Sequence, residues 1–182
     1  MSREPVIREP VIREPGDRAP RDRAPANEAQ VARLVYHEAR LIDEKRFNEW
    51  YELFTDDARY WMPLTRDQPD GENFTSLLYE DKLLLRVRIE RLSNPNSFSQ
   101  QEPSFCQHVM QAPEIERGAT SDVLWITRAP FIYVETQLDT QIVLAGHSWL
   151  HLTEIDGELR IKLKKIDLLN RDAALPSIQL FP

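Results

Sequence analysis

The sequence has 182 residues, enough for one domain with a sizeable core, and its 30 acidic against 23 basic residues give a formal net charge of -7. This excess of acidic residues argues against a nucleic-acid partner, because a phosphate-binding surface needs clustered lysine and arginine. The single cysteine, Cys106, excludes an intrachain disulfide, and no apolar run reaches the roughly 18 residues of a membrane helix, so we expect a soluble, cytoplasmic protein without membrane contact.

The amino-terminal segment carries a five-residue repeat. Arginine recurs every five residues from Arg3, and proline recurs at the same interval from Pro5. Proline at this spacing removes backbone donors and excludes a continuous helix. We therefore predict a solvated, polyproline-like arm over residues 1–25, either a docking arm or a leader without function, followed by a single domain over residues 26–182.

Three helices are predicted at the start of the domain. Asn27 with Gln30 three residues later is typical of a capping box, and an apolar helical stripe interrupted by Glu38 follows it. A second, short helix contains Trp50. The third helix is expected over about 77–92, behind a loop rich in proline, glycine and aspartate.

Asp56 and Asp57 form either an acid/base pair or a turn between a helix and a strand. They follow the second helix and precede a strand in which Tyr60 and Met62 alternate with the residues of the opposite face. Aspartate is favoured in such turns by its side-chain hydrogen bonds to nearby backbone. Adjacent side chains also point apart, so sharing one substrate proton is difficult, and the pattern favours the turn.

From Phe105 onward the apolar period changes to two, which indicates β-strands. The predicted strands cover about 105–117, 122–138, 141–155 and 158–170. Strands of this length exceed the usual ~5–6 residues and usually bend. Helices followed by long antiparallel strands predict an α+β fold with the helices packed on one face of a curved sheet.

The Asp156-Gly157 pair predicts the closing hairpin. Asp-Gly suits a two-residue type I′ turn, which needs positive φ at both positions. The alternation on either side predicts one face formed by Leu150, Leu152, Leu159, Ile161 and Leu163. The opposite face of the second strand is then expected to carry Arg160, Lys162 and Lys164.

Three stretches resemble a known family. Residues 36–66, YHEARLIDEKRFNEWYELFTDDARYWMPLTR, are similar to the opening of the small, or beta, subunit of aromatic-ring-hydroxylating dioxygenases. That opening has an acidic-Ala-x-Leu-(Leu/Ile)-Asp helix, a Phe-x-x-Trp helix and an Asp-x-x-Tyr-x-x-Pro strand. Residues 81–92 resemble the third helix of the family, and residues 145–170 resemble its closing hairpin. The resemblance covers residues 31–182.

The sequence departs from the family before His108, where Phe105 and Gln107 stand in place of the expected arginines. The resemblance implies a cone-shaped, NTF2-like (cystatin-like) α+β fold, with three N-terminal helices on a long, strongly curved, mostly antiparallel sheet. It also implies a large alpha subunit that carries a Rieske iron–sulfur cluster and a mononuclear non-haem iron. The implied assembly has three alpha and three beta subunits with beta–beta trimer contacts, and NAD(P)H supplies electrons through a reductase or ferredoxin.

The chain itself lacks the ligands for redox iron. A Rieske cluster needs two cysteines and two histidines, and the sequence has one cysteine. His147 and His151 would lie about 13 Å apart on a strand, too far to share a metal. We therefore predict no cofactor, metal or catalytic residue in this chain, and a structural role in an oxygenase that dihydroxylates an aromatic substrate in aromatic-compound catabolism.

Two further sets of residues follow from the implied fold. The alternative function is a stand-alone NTF2-like isomerase or dehydratase with an acid/base site in the cone. Its cavity would be lined by Tyr60, His108, Trp125 and Trp149. For the structural subunit, the expected subunit contacts are exposed apolar residues, with the tail either tucked against its own sheet or buried at an interface. These contact residues are Trp61, Met62, Leu64, Ile178, Leu180 and Phe181.

Overall fold

The computed structural model describes residues 26–93 and 102–182. The predicted repeat arm lies outside these residues, and the domain boundary near Ala26 stays a prediction. The described helices are α1 (Glu28–Asp43), α2 (Phe47–Tyr51) and α3 (Lys82–Ser93). The described strands are β1 (Phe54–Pro63), β2 (Ser76–Asp81), β3 (Ser104–Met110), β4 (Glu114–Arg117), β5 (Trp125–Gln137), β6 (Thr140–Ile155) and β7 (Glu158–Leu168).

The seven strands form one sheet in the order β2-β1-β7-β6-β5-β3, and β4 pairs with β5. Only the contact between β1 and β7 is parallel among these pairs of described strands. From Trp125 to Glu135, buried side chains of β5 alternate with half-buried or exposed ones, so one face of the sheet is the core face. The predicted α+β class, with helices packed on a curved, mostly antiparallel sheet, is confirmed.

The local signals at two element ends are confirmed. Asn27 accepts a hydrogen bond from the backbone N–H of Gln30, and the Gln30 side chain accepts one from the backbone N–H of Asn27. At the other end of the chain, Asp156 and Gly157 have φ of 53° and 75°, the positive values that a type I′ turn requires. The capping box and the turn each depend on a few neighbouring residues, so the local sequence is enough to predict both.

The third helix starts later than predicted. Residues 76–81 form strand β2, which pairs antiparallel with β1 through Met62↔Leu78 and Trp61↔Tyr79. The Asp81 carboxylate accepts the backbone N–H of Leu84 at 2.9 Å, which caps the first turn of α3. The helix therefore begins at Lys82, and the apolar residues before it belong to the sheet.

Two further predictions about strands are wrong in detail. The segment predicted as one strand over 105–117 consists of β3 and β4, which both pair with β5. Pro113 lies in the break between them and cannot donate to a ladder. Asp56 and Asp57 lie inside β1 rather than in a turn, where the pairing with β7 is irregular.

A β-bulge changes the faces of the last strand. Leu152 pairs with Ile161 but His151 pairs with Leu163, so Lys162 is an extra residue. One extra residue moves every later side chain to the other face. The predicted facing is therefore wrong beyond the bulge: Leu163 leaves the core face, and Lys164, expected outside, is 1% exposed inside the core.

Candidate functional site

The four residues predicted to line a cavity do not share one. Tyr60 and Trp125 are buried on the core face, and the Tyr60 hydroxyl donates to the backbone carbonyl of Pro182 at 3.0 Å. Trp149 lies on the outer face, because its strand neighbours alternate and Leu150 points into the core. Trp149 therefore cannot join an acid/base site with Tyr60 inside the cone.

The interior of the cone is occupied by the tail of the same chain. Phe181 is 1% exposed, and its ring centroid lies 4.6 Å from that of Trp50, 5.6 Å from Phe47 and 6.0 Å from Tyr60. The tail backbone is also held, because the Glu135 carboxylate accepts the N–H groups of two tail residues at 2.9 Å each. These residues are Gln179 and Leu180. The tail thus packs against its own sheet and helices.

The residues predicted to form subunit contacts are less exposed than expected. Four of them are buried within the single chain rather than exposed, namely Trp61, Met62, Leu180 and Phe181. The Trp61 indole N–H also donates to the Ser76 hydroxyl at 3.0 Å. Leu64 and Ile178 are half-buried. A contact role for these two stays a prediction.

The structure buries a salt bridge beside the tail. The Lys164 ammonium donates to the Glu38 carboxylate at 2.7 Å, and the Trp50 indole N–H donates to the same oxygen. Lys164 and Glu38 are 1% and 2% exposed. The ammonium also lies 5.6 Å from the Trp50 ring and 5.7 Å from the Tyr60 ring, within cation–π range.

In the sequence, Glu38 is recognised only as an interruption of an apolar stripe, and no ion pair is predicted. Glu38 interrupts the apolar stripe of α1, and an acidic residue on a buried helix face indicates a buried partner. The partner was missed because period-two alternation placed Lys164 on the opposite face of β7. The bulge at Lys162 reverses that face, and the sequence has no local signal for it.

The two adjacent carboxylates of β1 are bound to different lysines. Asp56 accepts from Lys82 at 2.9 Å, and Asp57 lies 2.9 Å from the Lys162 ammonium. The Thr55 hydroxyl and Lys162 hold the pKa of Asp57 below its usual value. The pair therefore connects β1 with α3 and β7, and it does not act on one shared proton.

Asp43, Cys106 and His108 form a second polar cluster, between the end of α1 and β3. The Asp43 carboxylate accepts the backbone N–H of His108 at 3.0 Å and lies 2.7 Å from its Nδ1. Gln107, which stands where an arginine was expected, donates to the same carboxylate at 2.8 Å. Because its amide is neutral, Gln107 binds the Asp43 carboxylate without the positive charge that an arginine would add.

The same cluster has the geometry of a metal site but carries other bonds. Across residues 26–93 and 102–182, Asp43, Cys106 and His108 are the one group of three or more histidine, cysteine or acidic residues whose ligand atoms lie within 4.8 Å of one another. Burial, with Asp43 nearby, raises the pKa of the Cys106 thiol to about 12, so the thiol is protonated at neutral pH. The His108 Nδ1 is already bonded to Asp43. We conclude that the cluster joins α1 to β3.

We expect Cys106 to react slowly with thiol reagents. A thiol pKa of about 12 lowers the thiolate fraction at pH 8 by a factor of roughly 10³ relative to a free thiol, and the thiolate is the nucleophile. The second-order rate of iodoacetamide labelling should therefore be lower by at least roughly 10³ in the folded chain than in the same chain unfolded in urea. Equal rates in the two states would contradict the assigned environment.

Comparison with known proteins identifies a family for this chain. Residues 37–173 match the family model described as ring hydroxylating beta subunit. The chain belongs to that family. The small oxygenase component of the p-cumate 2,3-dioxygenase system of Pseudomonas putida is 30% identical over 139 residues, which cover 75% of this chain and 76% of that protein. The beta subunit of an N,N-dimethyl phenylurea N-demethylase from a Sphingobium strain is 29% identical over 158 residues, 82% of this chain and 88% of its own.

Solved structures show the same fold. The beta subunit of the benzoate 1,2-dioxygenase of Burkholderia mallei has a TM-score of 0.69 at 23% identity, covering 87% of this chain and all of that one. An NTF2-like protein with a cystatin-like fold from Novosphingobium aromaticivorans has a TM-score of 0.54 at 12% identity, covering 78% of this chain and 81% of that one. The predicted NTF2-like fold is confirmed. Membership of the beta-subunit family implies an alpha-subunit partner.

No helix among the described residues is both long and apolar enough to cross a membrane.

Proposed function

We propose that this chain is the structural beta subunit of the terminal oxygenase of a multicomponent aromatic-ring-hydroxylating dioxygenase, in the cytoplasm. The observation that carries the proposal is the family match over residues 37–173. In this proposal the Rieske cluster and the mononuclear iron belong to a large alpha subunit, and three copies of each subunit assemble, with contacts between the beta subunits. The reductase or ferredoxin acts on the alpha subunit and reaches this chain only indirectly.

The contacts of the fold suit a rigid support. Strands β5 and β6 pair over thirteen consecutive positions from Trp125↔Leu152 to Gln137↔Thr140, which makes a stiff sheet. The Asp43–His108 contact fixes α1 to β3, and the tail fills the cone. A platform of this kind would hold the alpha subunits in one register, which keeps the distance for electron transfer between neighbouring iron centres constant.

The same contacts weigh against the stand-alone isomerase or dehydratase. The Phe181 ring packs 6.0 Å from the Tyr60 ring and takes up part of the space that a substrate ring could fill. His108 lines a different pocket, at the end of α1, and Trp149 lies on the other face of the sheet. A general base needs hydrogen-bond reach to a substrate atom. A cavity of about 250 Å³ remains beside Tyr60, but no imidazole or acidic side chain of the described residues lines it, and the Tyr60 hydroxyl already donates to the Pro182 carbonyl.

Isolation of the native assembly tests the proposal. We expect an affinity-tagged chain, produced in its own host, to recover a brown complex that contains iron, acid-labile sulfide and a larger second chain in equal number. Native mass spectrometry measures the ratio, and iron and sulfide assays measure the metal centres. A colourless oligomer of this chain alone, with a small molecule bound in the cone, would support the isomerase or dehydratase instead.

A further inference from the structure

A groove of about 920 Å³ lies between α1 and the hairpin that joins β6 to β7. It is termed the α1 groove, and its lining includes Arg33, Leu34, His37, Arg40, Glu158 and Leu159. The lining extends along α1 from Asn27 to Arg40, which at the helical rise of about 1.5 Å per residue is about 20 Å. The α1 groove is therefore long enough for a short extended segment of chain.

The two walls of the α1 groove carry opposite charges. The helix wall carries Arg33 and Arg40, and the hairpin wall carries Glu158. Arg40 lies 3.8 Å from Glu44, and Glu158 pairs with Arg160. Among the residues that the structure describes, Arg33 makes no ion pair. A segment of one sign would be repelled by one wall, so the α1 groove favours a segment with both.

The floor between these walls is apolar. Leu34 and Leu159 both line the α1 groove and are half-buried against the core. Tyr36 lies at the rim and is 43% exposed. Small apolar residues and prolines pack well on such a surface, because proline-rich segments bind grooves that contain aromatic rings. A matching segment thus combines both charges with alanine or proline.

A segment of this composition is covalently attached at one end of the α1 groove. Ala26 lines the groove, and its backbone N–H donates to the Glu154 carboxylate at 3.1 Å. Residues 20–25, which precede it, read PRDRAP, and the whole repeat over residues 3–25 has six arginines against five acidic residues. At the polyproline rise of about 3.1 Å per residue, these six residues would span about 19 Å, the length of the groove.

We propose that the α1 groove is the docking site of the chain's own repeat arm, through residues 20–25. In this arrangement Asp22 pairs with Arg33 on the helix wall. Arg21 and Arg23 lie towards the acidic hairpin wall, and the alanine and prolines of the segment cover the apolar floor. The inference concerns the single chain and is independent of the proposed oxygenase partner.

The covalent connection favours the chain's own arm over any separate molecule. A segment attached next to its binding site has an effective concentration on the order of millimolar, so weak contacts are enough to dock it. A free protein present at micromolar concentration would need roughly 10³-fold higher affinity to displace it. The arm of a second copy has the same sequence and therefore no such advantage. Pro20 and Pro25 also reduce the conformational entropy that docking costs.

Trypsin digestion of the full-length chain tests the inference. The Arg21–Asp22 bond lies within the proposed docked segment, and the Arg3–Glu4 bond lies far outside it. A synthetic peptide of residues 1–27 gives the intrinsic cleavage rate of each bond. We expect the Arg21–Asp22 bond to be cut at least about tenfold more slowly in the chain than in the peptide, because cleavage follows the undocked population. The Arg3–Glu4 bond should be cut at the peptide rate.

A matched pair of variants separates docking from mere nearness to the folded domain, which slows cleavage in every variant alike. Arg33→Glu should speed cleavage of the Arg21–Asp22 bond about two- to fivefold, the factor that one exposed ion pair supplies. Arg91→Glu makes the same change at an exposed position of α3 and should leave the rate unchanged. Tyr36→Ala is the second groove variant and should also speed the cut. Melting temperatures must match the wild type.

Three results would overturn the inference. Cleavage of the Arg21–Asp22 bond at the peptide rate would show that the segment is not docked. Equal rates for folded Arg33→Glu, Tyr36→Ala and Arg91→Glu would place the segment outside the α1 groove. Protection that disappears on tenfold dilution would assign the groove to the arm of a second copy. None of these results bears on the recovery of an alpha subunit, so the proposed function is tested separately.

Discussion

Replacing Lys164 by methionine should lower the free energy of unfolding by about 3–5 kcal/mol. The substitution keeps the length of the side chain but removes the ammonium, which leaves the Glu38 carboxylate buried with one hydrogen bond from the Trp50 indole. Removing one member of a buried pair is costly because the remaining charge can no longer reach water. Urea unfolding followed by circular dichroism measures the loss.

The chain contains a matched control two residues away. Lys162→Met removes the same group from the bulge, where the Lys162 ammonium pairs with two exposed aspartates, Asp57 and Asp122. Such pairs contribute about 0–1 kcal/mol, so the control should unfold close to the wild type. Equal losses for Lys162→Met and Lys164→Met would show that the bulge does not place Lys164 in the core.

A double substitution separates the lost charge from lost packing. Glu38→Gln retains an amide oxygen that can accept from the Trp50 indole, and together with Lys164→Met it leaves no buried charge. Replacing a whole buried pair is often close to neutral, so the double variant should recover most of the stability lost by Lys164→Met. A double variant as unstable as the sum of the two single variants would mean that the groups do not interact.

These two lysines also show which part of the fold the sequence predicts. The capping box at Asn27 and the turn at Asp156-Gly157 depend on two to four adjacent residues, and both are confirmed. The bulge depends on how β7 pairs with its neighbours on both sides, β6 and β1, and no residue of β7 encodes it alone. One inserted residue then reverses the predicted face of every side chain after it.

The candidate sites also depend on contacts between residues that are far apart in the sequence, and such contacts are not predicted by local patterns. Asp43 and His108 are 65 residues apart in the sequence, and only the packing of α1 against β3 brings them together. The tail was expected to be apolar and buried, but the sequence left its burial site open between its own sheet and an interface. Glu135 decides this, because a buried carboxylate on the core face of β5 accepts two backbone N–H groups of the tail.

Phe181→Ala should lower the free energy of unfolding by about 3–5 kcal/mol. The ring lies among Phe47, Trp50 and Tyr60, and its removal leaves a cavity that these three packed rings cannot close. Thermal and urea unfolding of the full-length variant measure the loss. Phe74→Ala is the matched control, because Phe74 is 51% exposed and its truncation should change the stability by no more than about 0.5 kcal/mol.

The same variant tests whether the cone is a latent binding site or only a packed core. The cavity left by Phe181→Ala is lined by aromatic rings, and an apolar cavity of this kind binds small aromatic molecules. We expect benzene to raise the melting temperature of Phe181→Ala and to leave Phe74→Ala unchanged, since a ligand that binds only the folded state stabilises it. If Phe181→Ala is as stable as the wild type and benzene does not change its melting temperature, the tail lies outside the cone. The cone would then be open to a substrate, and the isomerase or dehydratase would become the stronger proposal.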